Sequence, residues 1–111
     1  TTPRADGTPQ VTPVGFTYDP KRRIGRVITW SDSFKARTIA RQPGAAVAIC
    51  HIDGGSWVTF YGTATVSSEP DEVAEDVERY GARYRQPKER DDRVVIVVDV
   101  TRIVGRLPEA D

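Results

Sequence analysis

Hydroxyl and cationic side chains crowd into one short run, Val27-Ile28-Thr29-Trp30-Ser31-Asp32-Ser33-Phe34-Lys35-Ala36-Arg37. Its first residues read as the end of a strand, and Ser31-Asp32-Ser33 is a cluster of residues that cap helix N-termini. Lys35 then falls in the first helical turn. A helix N-terminus carries unpaired N–H groups and a partial positive charge, so it attracts phosphate. Ser31 and Ser33 can add hydroxyl donors, Lys35 a compact charge, and Arg37 a second cationic donor. The chemistry suggested is the holding of a phosphate group. The same residues also fit an ordinary capped helix with a solvated lysine and arginine.

Two other stretches could serve a site. Along Trp57-Val58-Thr59-Phe60-Tyr61-Gly62-Thr63-Ala64, the side chains of Trp57, Thr59 and Tyr61 share one strand face. That face suits a planar ring, a dimer interface, or a packed barrel wall. Gly62 would let another backbone approach closely. The basic groups of Arg79-Tyr80-Gly81-Ala82-Arg83-Tyr84-Arg85 could meet an acidic substrate or cofactor tail, or lie along an amphipathic helix.

Several chemistries find no residues. There is one histidine, His51, and one cysteine, Cys50, too few for a His/Cys zinc site, and no metal site is expected. His51 has no serine or cysteine partner at an interpretable spacing, so a hydrolytic triad is unsupported. Cys50 lies in an apolar run and reads as a buried, inert thiol. Walker and dinucleotide fingerprints are missing. Asp91-Asp92 sit in a charged loop and read as solvated.

Net charge is zero, so nothing global calls for nucleic acid. The charges are nonetheless segregated. Residues 21–41 hold seven basic side chains and one acid, while residues 69–78 hold six acids and no base. Opposed patches suit a small anionic ligand on one side, or are two solvated faces. No apolar run reaches the ~20 residues of a membrane helix, no secretory leader is visible, and a single thiol fits a reducing cytoplasm.

The elements that must position these groups follow from periodicity and turn signals. Strands are expected over about Pro9–Tyr18 and Arg23–Trp30, the second with Ile24, Ile28 and Trp30 on one face and Val27 and Thr29 on the other. A helix over about Ser33–Gln42 should turn Ala36, Ile39 and Ala40 inward. Ala45–Ile52 reads as a strand buried on both faces. Asp53-Gly54-Gly55 is a hairpin turn into a long strand over about Ser56–Ser67. Ser68 can cap a second helix over about Pro70–Arg85, with Val73, Val77, Tyr80 and Tyr84 as its buried stripe. Gln86–Asp92 is a charged loop. Arg93–Val100 is a valine-rich strand, extended past a bend by Thr101–Leu107. Short hairpin links imply a largely antiparallel sheet, closed or nearly closed into a barrel. One domain, 1–111, accounts for the length.

The order of these pieces resembles the flavin/deazaflavin oxidoreductase superfamily, the split β-barrels related to pyridoxamine 5′-phosphate oxidase. The pieces are Asp6-Gly7-Thr8-Pro9-Gln10, Val14-Gly15-Phe16 ending in Tyr18-Asp19-Pro20, and Ser33-Phe34-Lys35-Ala36. Trp57 with Gly62-Thr63-Ala64, and Arg79-Tyr80 with Arg83-Tyr84, complete the set. The run Val14 to Lys21, the Arg26-Val27-Ile28-Thr29 strand and Arg83-Tyr84-Arg85 are most similar to the actinobacterial F420-dependent biliverdin reductase group.

The resemblance implies a mainly β fold with two helices, a largely antiparallel Greek-key split barrel of the FMN-binding type. It implies a homodimer with cofactor sites at the interface. The cofactor implied is coenzyme F420, with FMN as the alternative. Lys35 and Ser33 would hold its phosphate, with Arg37 nearby. Thr29, Trp30 and Ser31 would line its chain and ring, and Trp57 would reach the site from either subunit. A hydride would pass from the reduced deazaflavin to a conjugated substrate such as biliverdin, whose propionates would want basic partners, with Arg4, Arg37 and Arg85 as candidates. An FMN-dependent enzyme of the same fold is the runner-up. A non-catalytic cofactor or haem binder, with His51 as ligand, is the third reading. The family also begins with a helix and a first strand. With no methionine and only five residues before Asp6-Gly7, both are expected to precede Thr1.

Overall fold

The computed structural model describes residues 1–106. The chain runs β1 (Thr2–Pro3), β2 (Pro9–Gln10), β3 (Thr17–Asp19), β4 (Ile24–Trp30), α1 (Phe34–Arg41), β5 (Ala45–Asp53), β6 (Ser56–Ser67), α2 (Pro70–Arg83) and β7 (Arg93–Arg106). β1 and β2 form a small hairpin across the Asp6-Gly7 turn. The other five strands make one antiparallel sheet in the order β3-β4-β7-β6-β5. The fold is mainly β with two helices, as expected. The sheet is not closed among the described residues and is compatible with a split barrel.

β7 is the centre of this sheet, and its valines explain why. It pairs with β4 along one edge and β6 along the other, so it needs side chains that bury on both faces. Val94, Val95, Ile96, Val98 and Val100 are all buried. The bend expected after Val100 is a β-bulge: Gly62 faces Val100 while Tyr61 faces Arg102, which leaves Thr101 as the extra residue. Its hydroxyl donates to the Tyr61 carbonyl, 3.3 Å away. A Cβ on Gly62 would collide with the Asp99 carbonyl, so the glycine is required by the close approach of β7. Leu107, the expected end of this extension, lies outside the described residues.

Three expectations are corrected. The strand expected over Pro9–Tyr18 breaks into β2 and β3, and residues 11–16 between them have no regular structure. Pro13 cannot donate to a ladder, and Val11 and Val14 are exposed, so this segment has no partner strand. β5 is an edge strand covered on one face only: Val47 and Ile49 are buried, while Cys50, His51 and Ile52 are exposed. Cys50 is therefore an exposed thiol. In α1, Thr38 is buried beside Ala36 and Ile39, while Ala40 is exposed.

The core forms where the sheet meets α1. Phe16, Val27, Ile39, Phe60, Ile96 and Val98 are at its heart, with Phe16 and Tyr18 packed against the Phe60 ring. α2 covers the other face of β4. There Arg26, amid the apolar Ile24 and Ile28, meets Asp76 at 3.3 Å, with the two side chains 8% and 1% exposed. The capping role expected of Ser68 belongs instead to the neighbouring positions. Glu69 is the N-cap, Pro70 opens the helix, and Ser67 Oγ accepts from the Glu69 amide and donates to Glu72.

Candidate functional site

Two adjoining cavities lie where the 11–15 segment crosses the sheet. The first, of about 310 Å³, runs between that segment and the inner sheet face, walled by Val27, Val47, Ile49, Ile96, Val98 and Ile39 of α1. The second, of about 200 Å³, is lined by Gly15, Ile28, Thr29, Trp30, Tyr80, Pro87 and Arg93. Pro13, Val14, Val27 and Lys35 line both. Lys35 thus stands at the junction.

The local sequence explains how Lys35 gets there. β4 ends at Trp30, and the Ser31 amide donates to the Asp92 carbonyl at 2.8 Å. The Ser33 amide closes a turn onto the Trp30 carbonyl at 3.0 Å. Ser33 is the N-cap of α1, its Oγ accepting from the Ala36 amide at 3.2 Å. This places Lys35 in the first turn of the helix, as the spacing predicts. Burial lowers its pKa below the ordinary lysine value. Among the described residues no carboxylate pairs with it. Its ammonium stands 5.6 Å over the Trp30 ring, and the Arg90 guanidinium stands 5.0 Å over the same ring.

Thr29 is the other unusual group. Its residue is only 2% exposed, it lines the second cavity, and its hydroxyl has no hydrogen-bond partner among the described residues. Buried hydroxyls are normally paired, so an unpaired one in a residue that lines the same cavity as a desolvated lysine with no carboxylate partner among the described residues makes this a candidate place for an anionic acceptor. A phosphate-bearing cofactor fits this donor set.

The remaining predicted site residues separate. Thr29, Trp30 and Lys35 come together on the second cavity. Ser33 is beside it, but its hydroxyl oxygen is occupied by the cap. Ser31 is exposed and contributes its backbone. Arg37 lines neither cavity and points 3.7 Å from Asp32 in solvent. Arg4 lies by a separate surface hollow with Phe34 and Arg41. Arg85 follows α2, exposed. Trp57 lies on the outer face of the β5-β6-β7 sheet, away from both cavities within one copy of the chain, and exposed His51 also lines neither cavity.

Arg93, Tyr80 and the strap of residues 86–92 were missed by sequence reasoning. Arg93 lies opposite Trp30 in the β4–β7 register and donates from Nη2 to the Lys88 carbonyl. Only the strand pairing brings it to the cavity that Lys35 lines, fifty-eight residues away in the chain, so no local spacing could have found it. The basic residues near the end of α2 serve structure. Arg79 pairs with Glu75 at 2.8 Å, and Arg83 Nε donates to the Tyr84 hydroxyl at 2.9 Å. That hydroxyl donates to the Phe16 carbonyl and accepts from the Phe16 amide. Gly15 packs so closely that a Cβ there would come within 2.8 Å of the Tyr80 ring. The end of α2 thereby latches the segment that forms the wall shared by the two cavities.

Relatives of known name bear on this geometry. A Mycobacterium tuberculosis protein named F420H(2)-dependent biliverdin reductase is 46% identical over 105 residues, which is 95% of this chain and 75% of that protein. A solved structure named F420 reductase superposes with a TM-score of 0.73 at 29% identity, over 93% of this chain and 84% of that one. A conserved hypothetical protein of Mycobacterium tuberculosis superposes with a TM-score of 0.78 at 21% identity, over 99% of this chain and 79% of that one, a likeness of fold. The family described as pyridoxamine 5′-phosphate oxidase matches residues 1–106, and this chain belongs to it.

Proposed function

We propose that this protein is an F420-dependent reductase that seats the cofactor's phosphate at Lys35 and passes a hydride to a conjugated acceptor, with biliverdin as the candidate substrate. The observation that carries the reading is Lys35 itself, a desolvated cation without a carboxylate partner among the described residues, lining a cavity that Thr29, with its unpaired hydroxyl, also lines. The mycobacterial relative's name favours F420 over FMN, since a phosphate seat would serve either.

When bound, the cofactor supplies the hydride, so the protein needs no nucleophile of its own. Lys35 contributes charge, Thr29 a hydroxyl hydrogen bond, and the α1 N-terminus its partial positive charge. Trp30 offers an indole face at the rim. The 11–15 segment, latched by Tyr84, walls the cavity and helps to exclude water. A cavity of about 200 Å³ is smaller than a whole-ligand pocket, so the rest of the cofactor extends beyond it. We assign that remainder to a homodimer interface on the outer face that carries Trp57, in a cytoplasmic setting. No helix among the described residues is long and apolar enough to cross a membrane.

The test is a titration of F420 and of FMN against the purified protein, followed by fluorescence quenching, then mixing of reduced F420 with biliverdin. Tight F420 binding with bilirubin formation supports the proposal. Tight FMN binding without F420 binding would overturn the cofactor, and F420 oxidation without bilirubin would overturn only the substrate.

A further inference from the structure

We propose that Arg93 is a second anion-binding residue of the smaller cavity, a guanidinium that holds the cofactor's phosphate together with Lys35. The proposal rests on the reading of that cavity as a phosphate seat, and it does not depend on which phosphate-bearing cofactor enters.

Three observations carry it. The first is the charge of the lining. Lys35 and Arg93 are the charged residues that line the cavity of about 200 Å³, and no acidic residue lines it with them. Like charges around one small space repel, so the pair is costly until an anion joins it.

The second is what surrounds the guanidinium. Arg93 is half-buried, its Nη2 donates to the Lys88 carbonyl, and no carboxylate pairs with it among the described residues. That bond uses one of the five N–H donors of an arginine. The acid next to it in the chain, Asp92, is already taken: Arg90 donates to its two oxygens at 2.8 and 3.0 Å. Hydrogen bonding from Arg90 is the main cause that lowers the Asp92 pKa, and the charge of Arg93 is a lesser one.

The third is placement. Arg93 lies opposite Trp30 in the β4–β7 register, and the next pair sets Val94 opposite Thr29, whose buried hydroxyl is unpaired and which lines the same cavity. The strap of residues 86–92 is docked there by the Ser31 amide on the Asp92 carbonyl at 2.8 Å and by Arg90 over the Trp30 ring. A sheet strand thus fixes the backbone of Arg93, and the strap fixes one of its N–H groups. A donor held in this way loses little freedom when a ligand arrives.

These facts choose the ligand chemistry. A neutral group would leave two cations uncompensated. A phosphate ester presents at least two terminal oxygens, one for the ammonium and one for the guanidinium, and an arginine matches it by geometry as well as by charge. Arg93 therefore sets a preference for the phosphorylated over the unphosphorylated form of the same ring system.

The experiment compares each cofactor with its own phosphate-free form, F420 with the deazaflavin that ends at the ribityl hydroxyl and FMN with riboflavin. Each is titrated by fluorescence quenching against the wild type and Arg93→Gln. The variant should bind the phosphate-bearing ligand about tenfold more weakly, the worth of one hydrogen bond between charged groups, and the phosphate-free ligand equally well. An arginine that only holds the strap would weaken both alike. That result overturns the proposal, and so does unchanged affinity for both. If Arg93→Gln fails to fold, NMR of the wild type decides. The phosphate-bearing ligand should shift the Arg93 Nε–Hε resonance saturably, and an unmoved resonance overturns the proposal. Inorganic phosphate separates this proposal from the cofactor reading. Should neither F420 nor FMN bind, that reading fails, while phosphate alone should still shift the Arg93 resonance. No shift with phosphate would then overturn the role of Arg93 as well.

Discussion

Lys35 and Thr29 are both costly for the fold, in different ways. A lysine half-removed from water without a counter-charge gives up hydration, and a buried hydroxyl without a partner gives up a hydrogen bond. Groups kept at such cost are candidates for binding. Lys35→Ala should lower F420 affinity at least about tenfold, the worth of one charge-assisted hydrogen bond, while leaving the melting temperature nearly unchanged. Because burial lowers the pKa of Lys35, the wild-type affinity should fall as pH rises, and at lower pH than an ordinary lysine would require. A fluorescence titration at several pH values checks both, and unchanged affinity in the variant removes Lys35 from the phosphate seat. Thr29→Val separates binding from stability more sharply. Valine keeps the shape and removes the unpaired hydroxyl, so the free protein should gain about 1 kcal/mol in denaturant unfolding while F420 affinity falls. A hydroxyl of purely structural value would instead make the variant less stable. At this scale the sequence was informative where the contacts are local. Trp30, Ser33 and Lys35 are set by one strand end and one helix start, and their spacing predicts that placement. Arg93 and Tyr80 reach the site through tertiary pairing, which leaves no local signal. Arg37 was read as a donor because it lies near Lys35 in the chain, yet on α1 it turns toward Asp32 and solvent.

Among the elements, α2 is the one whose attachment depends on pH. Its Asp76 is buried against Arg26 of β4, and neither of its carboxylate oxygens nor Arg26 Nη1 finds a hydrogen bond among the described residues. Burial raises the Asp76 pKa to about 6, against the opposing pull of Arg26 and Arg79. The sign follows from linkage. The folded state holds the proton more tightly than the unfolded chain, so this group contributes stability at low pH that is lost as pH rises from about 4 to about 6. The loss is on the order of 2–3 kcal/mol. Asp76→Asn should remove that slope from a stability–pH profile. It should also be less stable than the wild type at pH 7, because Arg26 is left as a buried charge without a counter-ion. The double variant Arg26→Met with Asp76→Leu should recover the loss, and failure to recover would mean that the pair has value beyond its own neutralisation. The stripe expected on α2 was legible in part: Val73, Val77 and Tyr80 are half-buried, whereas Tyr84 is exposed just past the helix end. The Arg26–Asp76 pair was not legible, since each reads from the sequence as a member of a charged patch. Periodicity also placed α1, β4, β6 and β7 well. It failed over Pro9–Tyr18, where alternation imitated a strand that the prolines and the lack of a partner do not allow. It failed as well at β5, where an apolar run suggested two covered faces and only the face of Val47 and Ile49 is covered.

At the scale of the whole molecule, one surface is left unfinished. β5, β6 and β7 present Ile52, Trp57 and Tyr61 on their outer face, all substantially exposed, and the strand registers set Arg102 and Arg106 beside Tyr61 and Trp57. Contiguous aromatic and aliphatic groups of this kind mark interaction surfaces, and aromatic residues with arginine are the side chains enriched at interface cores. Two requirements then coincide. The second cavity, where we propose that the phosphate sits, is too small for a whole cofactor, and none of the described residues covers this face. A second copy placed on it would satisfy both, with Trp57 of each copy close to the other's cofactor. The expected consequence is that assembly and cofactor affinity fall together. Trp57→Asp combined with Tyr61→Asp puts two carboxylates into a self-complementary face, where each also meets its counterpart's charge. Sedimentation should change from dimer to monomer, circular dichroism should stay unchanged because neither side chain is in the core, and F420 affinity should drop by an order of magnitude or more although Lys35 and Thr29 are intact. A monomer that still binds F420 at wild-type affinity would show that one copy holds the complete site. A variant that stays dimeric would place the interface on another face.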